Sequence, residues 1–327
     1  MGNVLELENL RIAFPGPRGI IRAVEGINLA VGEGECVALV GESGCGKSVT
    51  SLAAMRLLDP VSAVIRTDKH MLCGEDVSKL TERQMEKLRG GSVSMIFQDA
   101  LSALNPVMTV GKQLDEILIL HRKLSKKAAR TRSIELLSMV GIPEPEARYR
   151  SFPHELSGGM RQRVLIAMAF ACEPKLIIAD EPTTALDVTI QAQVLEILQR
   201  MQRQYHTALL LISHDLSVVV HMADRIAVMY SGKLVEQAPA RELFRRPLHP
   251  YTRGLLASVV QMGDAGDSFS QIPGTLPDPS DKPAGCYFCP RCDRKLDRCA
   301  MEMPPMREVS PGHFVRCFTR NGGETDS

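Results

Sequence analysis

The sequence predicts an α/β layered fold, and three observations carry that prediction. Near-continuous apolar runs recur at residues 36–40, 92–97, 176–179 and 208–212, as strands buried on both faces do. Stretches with helical periodicity fill the intervals between them. The first run enters a glycine-rich loop that opens a further helical stretch, the strand–loop–helix order of a sheet flanked by helices.

Taken in order, residues 36–40 form the strand before the glycine loop, and a helix is predicted over 49–58. The run at 92–97 is a second buried strand. Residues 110–150 are polar, rich in Lys, Arg and Leu, and periodic at helical spacing, which predicts a helical insert on the sheet domain. The strands at 176–179 and 208–212 follow. Beyond Pro247 the composition shifts: a helix at 251–260, then a Pro/Gly/Asp stretch at 272–285 that reads as an extended connector. A cysteine-rich tail comes next, and residues 321–327 are expected to be disordered. No internal repeat is visible.

Composition narrows the function classes. The chain has 327 residues, 44% hydrophobic and 24% charged, with 39 basic against 38 acidic side chains and a net charge of +1. That balance is ordinary for a globular protein and lacks the basic footprint of a dedicated nucleic-acid binder. The longest apolar runs, such as residues 164–171, fall well short of the roughly 20 residues that span a bilayer. The N-terminus has neither a signal pattern nor a myristoylation motif. A cytoplasmic location is therefore expected, with any membrane contact made through a partner.

Residues Gly41, Glu42, Ser43, Gly44, Cys45, Gly46, Lys47 and Ser48 fit G-x-x-x-x-G-K-[ST] without a mismatch, and Val49 continues into the predicted helix. Glycines let successive N–H groups wrap a phosphate, and the helix N-terminus adds partial positive charge. Lys47 supplies a point charge to the β- and γ-phosphates, and the Ser48 hydroxyl can ligate Mg²⁺. The strand at 176–179 closes on Asp180 and Glu181. A carboxylate at a strand end can reach a metal at a phosphate loop, which suits Asp180, and Glu181 is placed to act as general base. Such an acid pair alone usually marks a solvated strand end. Ser157, Gly158 and Gly159 begin 23 residues before Asp180, and Ser-Gly-Gly at a helix start presents bare N–H groups to an anion.

Loop, Leu156-Ser157-Gly158-Gly159 and acid pair, in this order, resemble the ABC ATPase family. The resemblance covers residues 4 to about 245. It implies an ABC-type P-loop ATPase domain with a RecA-like core, an antiparallel β subdomain and a helical subdomain at about 99–172. ATP and Mg²⁺ are the implied ligands. Gln98 matches the glutamine that touches Mg²⁺ and faces the membrane partner. Ala185-Leu186-Asp187 matches the loop after the acid pair, and His214 the histidine that contacts the γ-phosphate. Phe14 stands where an aromatic stacks on adenine, although a single loop Phe is more often mere packing. Two such domains meet head to tail, with ATP between the Lys47 loop of one and the Ser157-Gly158-Gly159 loop of the other.

Residues 246–256 and 272–277, followed by Gly285-Cys286, resemble the closing segment and C-terminal extension of peptide and nickel importers, so the chain divides into an ATPase domain at 1–250 and an extension at 251–327. Residues 97–99 and 104–110 are also similar to that family, with Ala100 where proline is expected. The resemblance implies an ATP-hydrolysing subunit of a di- or oligopeptide importer, peripheral on the cytoplasmic face of the membrane. Its partners are two permease subunits, a second non-identical ATPase and an extracytoplasmic peptide-binding protein. The alternatives are a non-transport ABC ATPase of DNA repair or translation, or an importer of nickel or another small solute.

Five of the nine cysteines crowd the last 42 residues with the spacing Cys286-x₂-Cys289-x₂-Cys292-x₆-Cys299-x₁₇-Cys317, while Cys36, Cys45, Cys73 and Cys172 are scattered and read as lone buried thiols. In a reducing compartment such crowding points to metal chemistry sooner than to disulfides. Spacing does not choose between a [4Fe–4S] cluster, tetrahedral zinc and reduced thiols without metal. The importer resemblance implies a [4Fe–4S] cluster on Cys286, Cys292, Cys299 and Cys317, with Cys289 as an extra thiol. Its expected role is to staple a tail too short to build its own core.

Overall fold

The structure is a computed structural model that describes residues 2–16, 19–184, 186–260 and 272–318. The expected disorder at 321–327 and Ala185 of the loop after the acid pair lie outside the described residues. The chain forms two compact units, each assembled from separate stretches. One draws on Met1–Leu5, Ala30–Glu35 and Met71–Ile212, the other on Glu6–Leu29, Cys36–His70 and Ser213–Ser327.

In the first unit, Val93–Ile96, Leu176–Asp180 and Ala208–Ser213 pair in parallel, with Leu176 between Val93 and Ala208 in register. Every residue of Leu176–Asp180 and Ala208–Ser213 is buried, which is why their sequence shows unbroken apolar runs and no alternation. Helices Val110–Arg122, Lys126–Met139 and Pro145–Arg148 form the predicted insert. Asp115 joins them: it accepts from Ser133 Oγ at 2.6 Å and from Tyr149 Oη. A Cβ on Gly111 would lie 2.2 Å from the Tyr149 ring, so only glycine admits that ring. Helix Gly158–Phe170 is capped by Ser157, whose hydroxyl accepts from Met160 N–H, and helix Val188–Tyr205 by Asp187, which accepts from Ile190 N–H.

In the second unit, Cys36–Val40 pairs in parallel with Arg225–Tyr230, which pairs antiparallel with Lys233–Pro239. The tail continues this sheet: His313–Val315 pairs with Lys233–Pro239, and Arg307–Ser310 pairs with His313–Val315. Strand Val64–Arg66 pairs antiparallel with Asn3–Gly16 at Arg11, Ile12 and Ala13. The helix after the glycine loop runs Lys47–Ala54, starting at its Gly46 cap and ending earlier than expected, where Arg56 turns into the left-handed region. Helix Pro250–Val260 stands as expected, and 272–285 carries no helix or strand.

The tail packs into the core of the second unit. Tyr287 and Phe288 are buried in one core cluster with Val40, Tyr230 and Tyr251. The Phe288 ring lies 5.2 Å from Tyr230 and 5.5 Å from Tyr251. Packing into an existing core, as well as strand addition, holds this short segment, so it does not depend on a core of its own.

Candidate nucleotide site

In the second unit the glycine-rich loop at residues 41–48 is fixed by its floor. A Cβ on Gly41 would meet Met229 O at 2.2 Å, and one on Gly46 would meet Ala23 O at 2.6 Å. These two glycines let the loop lie directly on neighbouring backbone. Lys47 is buried, and its ammonium donates to Gly41 O at 2.8 Å and Glu42 O at 3.0 Å. The carbonyls of the loop thus hold its one strong cation at the loop's centre. Glu42 N–H donates to Tyr251 Oη at 2.8 Å, and Gly232 N–H to Cys45 O at 2.8 Å. Gly46 caps the helix that begins at Lys47, and Ser48 and Val49 in its first turn are half-buried. Burial raises the Cys45 thiol pKa, the nearby Lys47 charge opposing it, so the thiol stays neutral inside the loop. Phe14 is half-buried on Asn3–Gly16. His214 is exposed directly after Ala208–Ser213, in a turn where Asp215 N–H donates to Ser213 Oγ at 3.0 Å.

In the first unit Asp180 is the buried last residue of its strand. Glu181 follows with φ of +47°, a left-handed backbone that a non-glycine residue adopts at some cost. Its N–H donates to Ile212 O at 2.9 Å, which helps hold the strained conformation. Its carboxylate Oε2 accepts from Gln98 Nε2 at 3.2 Å and from Thr184 Oγ1 at 2.9 Å. Gln98 and Glu181 are thus brought together from positions 83 apart in sequence. Thr184 was not singled out in the sequence, and its only signal is its spacing three residues beyond Glu181. Ser157 and Gly158 are exposed at their helix start, and a Cβ on Gly159 would lie 2.6 Å from Ile190 Cγ2. Asp187 is occupied as the cap of the next helix.

The tail cysteines converge without closing on a metal. Burial pushes the Cys286 thiol pKa up to about 12, and the proximity of Cys299, Cys317 and Cys292 adds to it. Burial likewise pushes Cys292 up to about 11, with Cys317 and Cys299 nearby. Cys289, likewise raised by burial, packs with Cys299 and Cys286. Among the described residues no group of three or more His, Cys, Asp or Glu side chains is arranged to hold a metal ion. The donor chemistry suits a thiolate-bound metal, but the arrangement of these side chains does not form its coordination shell. Of the scattered thiols, Cys36, Cys45 and Cys172 are buried as expected, while Cys73 is half-buried.

Two family models match this chain. Residues 24–184 match the ABC transporter model, and residues 235–299 match the oligopeptide/dipeptide transporter C-terminal region. The dipeptide transport ATP-binding protein DppD of Bacillus subtilis is 47% identical over 321 residues, covering 98% of this chain and 96% of its own. The oligopeptide transport ATP-binding protein OppD of the same organism is 48% identical over 316 residues, covering 96% of this chain and 88% of its own. The chain belongs to the oligopeptide/dipeptide branch of the ABC transporter ATP-binding proteins. Among solved structures, a dimeric ATP-binding cassette in a post-hydrolysis state bound to ADP and Pi superposes with a TM-score of 0.63 at 26% identity, covering 72% of this chain and 99% of the other. As an ABC ATPase the chain binds ATP with Mg²⁺. No helix among its described residues is long and apolar enough to cross a membrane.

Proposed function

We propose that this ABC ATPase powers a membrane importer of di- and oligopeptides, working head to tail with a second, non-identical ATPase on the cytoplasmic face of two permease subunits. Peptides would reach the permeases from an extracytoplasmic binding protein. The names of its near-full-length relatives support the substrate class, and the dimeric cassette supports the pairing of two such domains. Lys47 and the N–H groups of the loop would hold the phosphates, with Phe14 on adenine. Ser48, Gln98 and Asp180 would hold Mg²⁺. His214 would contact the γ-phosphate, and the partner's Ser157-Gly158-Gly159 loop would close the site.

The observation that carries the hydrolytic reading is the hold on Glu181. One carboxylate oxygen is oriented by both Gln98 and Thr184, on a backbone fixed in a strained conformation. A positioned carboxylate of this kind can polarise an attacking water. Glu181→Gln is expected to keep ATP binding and to lower turnover by about 100-fold or more. Steady-state phosphate release in the reconstituted complex measures this, and turnover within twofold of wild type would remove Glu181 from the role.

For the tail, we propose a [4Fe–4S] cluster on Cys286, Cys292, Cys299 and Cys317. Its support is the cysteine spacing together with the nearness of Cys286 and Cys292 to Cys299 and Cys317; Cys289, which packs with Cys299 and Cys286, is kept as the extra thiol on spacing alone. When bound, the cluster would supply a thiolate cross-link between Cys286 and Cys317. Protein purified without oxygen is expected to be brown, with absorption that Cys292→Ser abolishes and Cys289→Ser retains. Colourless protein carrying one zinc per chain, or no metal, would reject the cluster.

A further inference from the structure

Arg291 lies in the cysteine-rich segment, between Cys289 and Cys292, yet its side chain reaches the phosphate loop. Its Nη1 donates to Glu42 Oε2 at 2.9 Å and contacts Tyr230 Oη at 3.4 Å. The same guanidinium is clamped from behind, with Nε donating to Pro273 O at 2.8 Å and Nη2 to Ile272 O at 3.1 Å. It stands 5.8 Å over the Tyr230 ring and 5.9 Å over the Phe288 ring. Arg291 is only 6% exposed and Glu42 28%. A planar, fully engaged guanidinium in such a position restricts its partner more than a surface ion pair does.

Glu42 is the second residue of the phosphate loop, and three contacts now converge on it. The Arg291 pair takes its carboxylate, Tyr251 Oη takes its N–H, and its carbonyl accepts from the Lys47 ammonium. A second tail residue supports the same floor. Lys282 Nζ donates to Ser231 O at 2.8 Å, and the adjoining Gly232 N–H donates to Cys45 O at 2.8 Å. The tail therefore holds the loop on two sides, through Arg291 on Glu42 and through Lys282 on the turn beneath Cys45.

We propose that Arg291 is a positioning residue for the nucleotide site, so that the cysteine-rich tail sets the shape of the phosphate loop and with it the affinity for ATP. The inference rests on the reading of residues 41–48 as the phosphate loop. It makes the extension part of the ATP-binding apparatus, acting through the loop backbone without touching nucleotide.

The sign of one substitution separates this from plain electrostatics. Glu42→Gln removes a negative charge beside a site for phosphates, so charge alone would tighten ATP binding. If Glu42 serves as the handle by which Arg291 holds the loop, the same change weakens binding. The experiment is equilibrium titration of the full-length chain with a fluorescent ATP analogue and Mg²⁺. Glu42→Gln and Arg291→Met are each expected to weaken affinity by about tenfold, the scale of one lost charge-assisted hydrogen bond. The double variant is expected to be no weaker than the poorer single variant by more than about twofold, because both remove one interaction. Arg291→Lys, which keeps the charge opposite Glu42, is expected to recover part of the loss. Affinity in Glu42→Gln equal to or tighter than wild type overturns the proposal. Should Arg291→Met fail to fold, Glu42→Gln decides alone, since its carboxylate lies at the accessible end of the pair. Lys47→Ala serves as the control for the underlying reading: lost binding there with unchanged Glu42→Gln defeats only the positioning role, and retained binding defeats the phosphate loop itself.

Discussion

Gly41 shows how a motif glycine is fixed by its neighbours. The Cβ it lacks would sit 2.2 Å from Met229 O and 2.9 Å from Cys45 Sγ. Backbone cannot retreat as a flexible side-chain end can, so the smallest side chain forces the loop off its floor. Gly41→Ala is expected to lower stability by about 2 kcal/mol or more, on the scale of overpacking in a well-filled interior. It is also expected to abolish ATP binding. Chemical denaturation and nucleotide titration check the two effects together, and wild-type values in both would show that the loop has room to shift. The glycine-rich loop at 41–48, the acid pair at 180–181 and Ser157-Gly158-Gly159 could be picked out in the sequence because each is a contiguous motif. Thr184, Tyr251 and Arg291 could not. Tyr251 and Arg291 meet Glu42 across 209 and 249 residues, and nothing in their local sequence marks which partner the fold will bring.

Among the elements, buried strands and the helical insert were readable because a strand covered on both faces has no polar positions to interrupt it. Helix ends were less so: the helix at Lys47–Ala54 stops at the left-handed Arg56, and arginine carries no stop signal as glycine does. The tail hairpin was illegible for a different reason. Its strands are short, Arg307–Ser310 and His313–Val315, and their stability comes from the sheet edge they join. His313 illustrates the docking. Its Nε2 lies 2.8 Å from Glu236 Oε1, and the same buried carboxylate accepts from Leu248 N–H at 2.7 Å and His249 N–H at 2.9 Å. Glu236 thereby ties a sheet strand, the start of helix Pro250–Val260 and the tail hairpin into one polar junction. A buried carboxylate is tolerated only with its hydrogen bonds satisfied, so the tail hairpin helps satisfy Glu236 on the strand it joins.

At the scale of the whole molecule, neither compact unit is a continuous stretch of chain, and linear order alone does not reveal such interleaving. The same polar junction gives folding stability a pH dependence. His249 is buried, with Nδ1 accepting from Tyr251 N–H at 3.1 Å and its ring 5.7 Å from Phe288. Burial lowers its pKa from 6.5 to about 4, while Glu236 pulls it up and Arg253 and Arg316 push it further down. The folded state therefore binds the His249 proton less readily than the unfolded state. Above pH 6.5 both states are neutral and the residue contributes nothing to the slope. Between about 6.5 and 4 the unfolded chain takes up the proton first, so stability falls with pH, by up to about 3 kcal/mol from this one group. Below about 4 the folded form is protonated too, at the cost of the Nδ1 hydrogen bond, and the slope ends. Thermal melting across this range is expected to show the decline in wild type. His249→Asn, whose side-chain oxygen can still accept from Tyr251 N–H but does not titrate, is expected to flatten it. Equal slopes in the two proteins would mean that the acid sensitivity of the fold arises elsewhere.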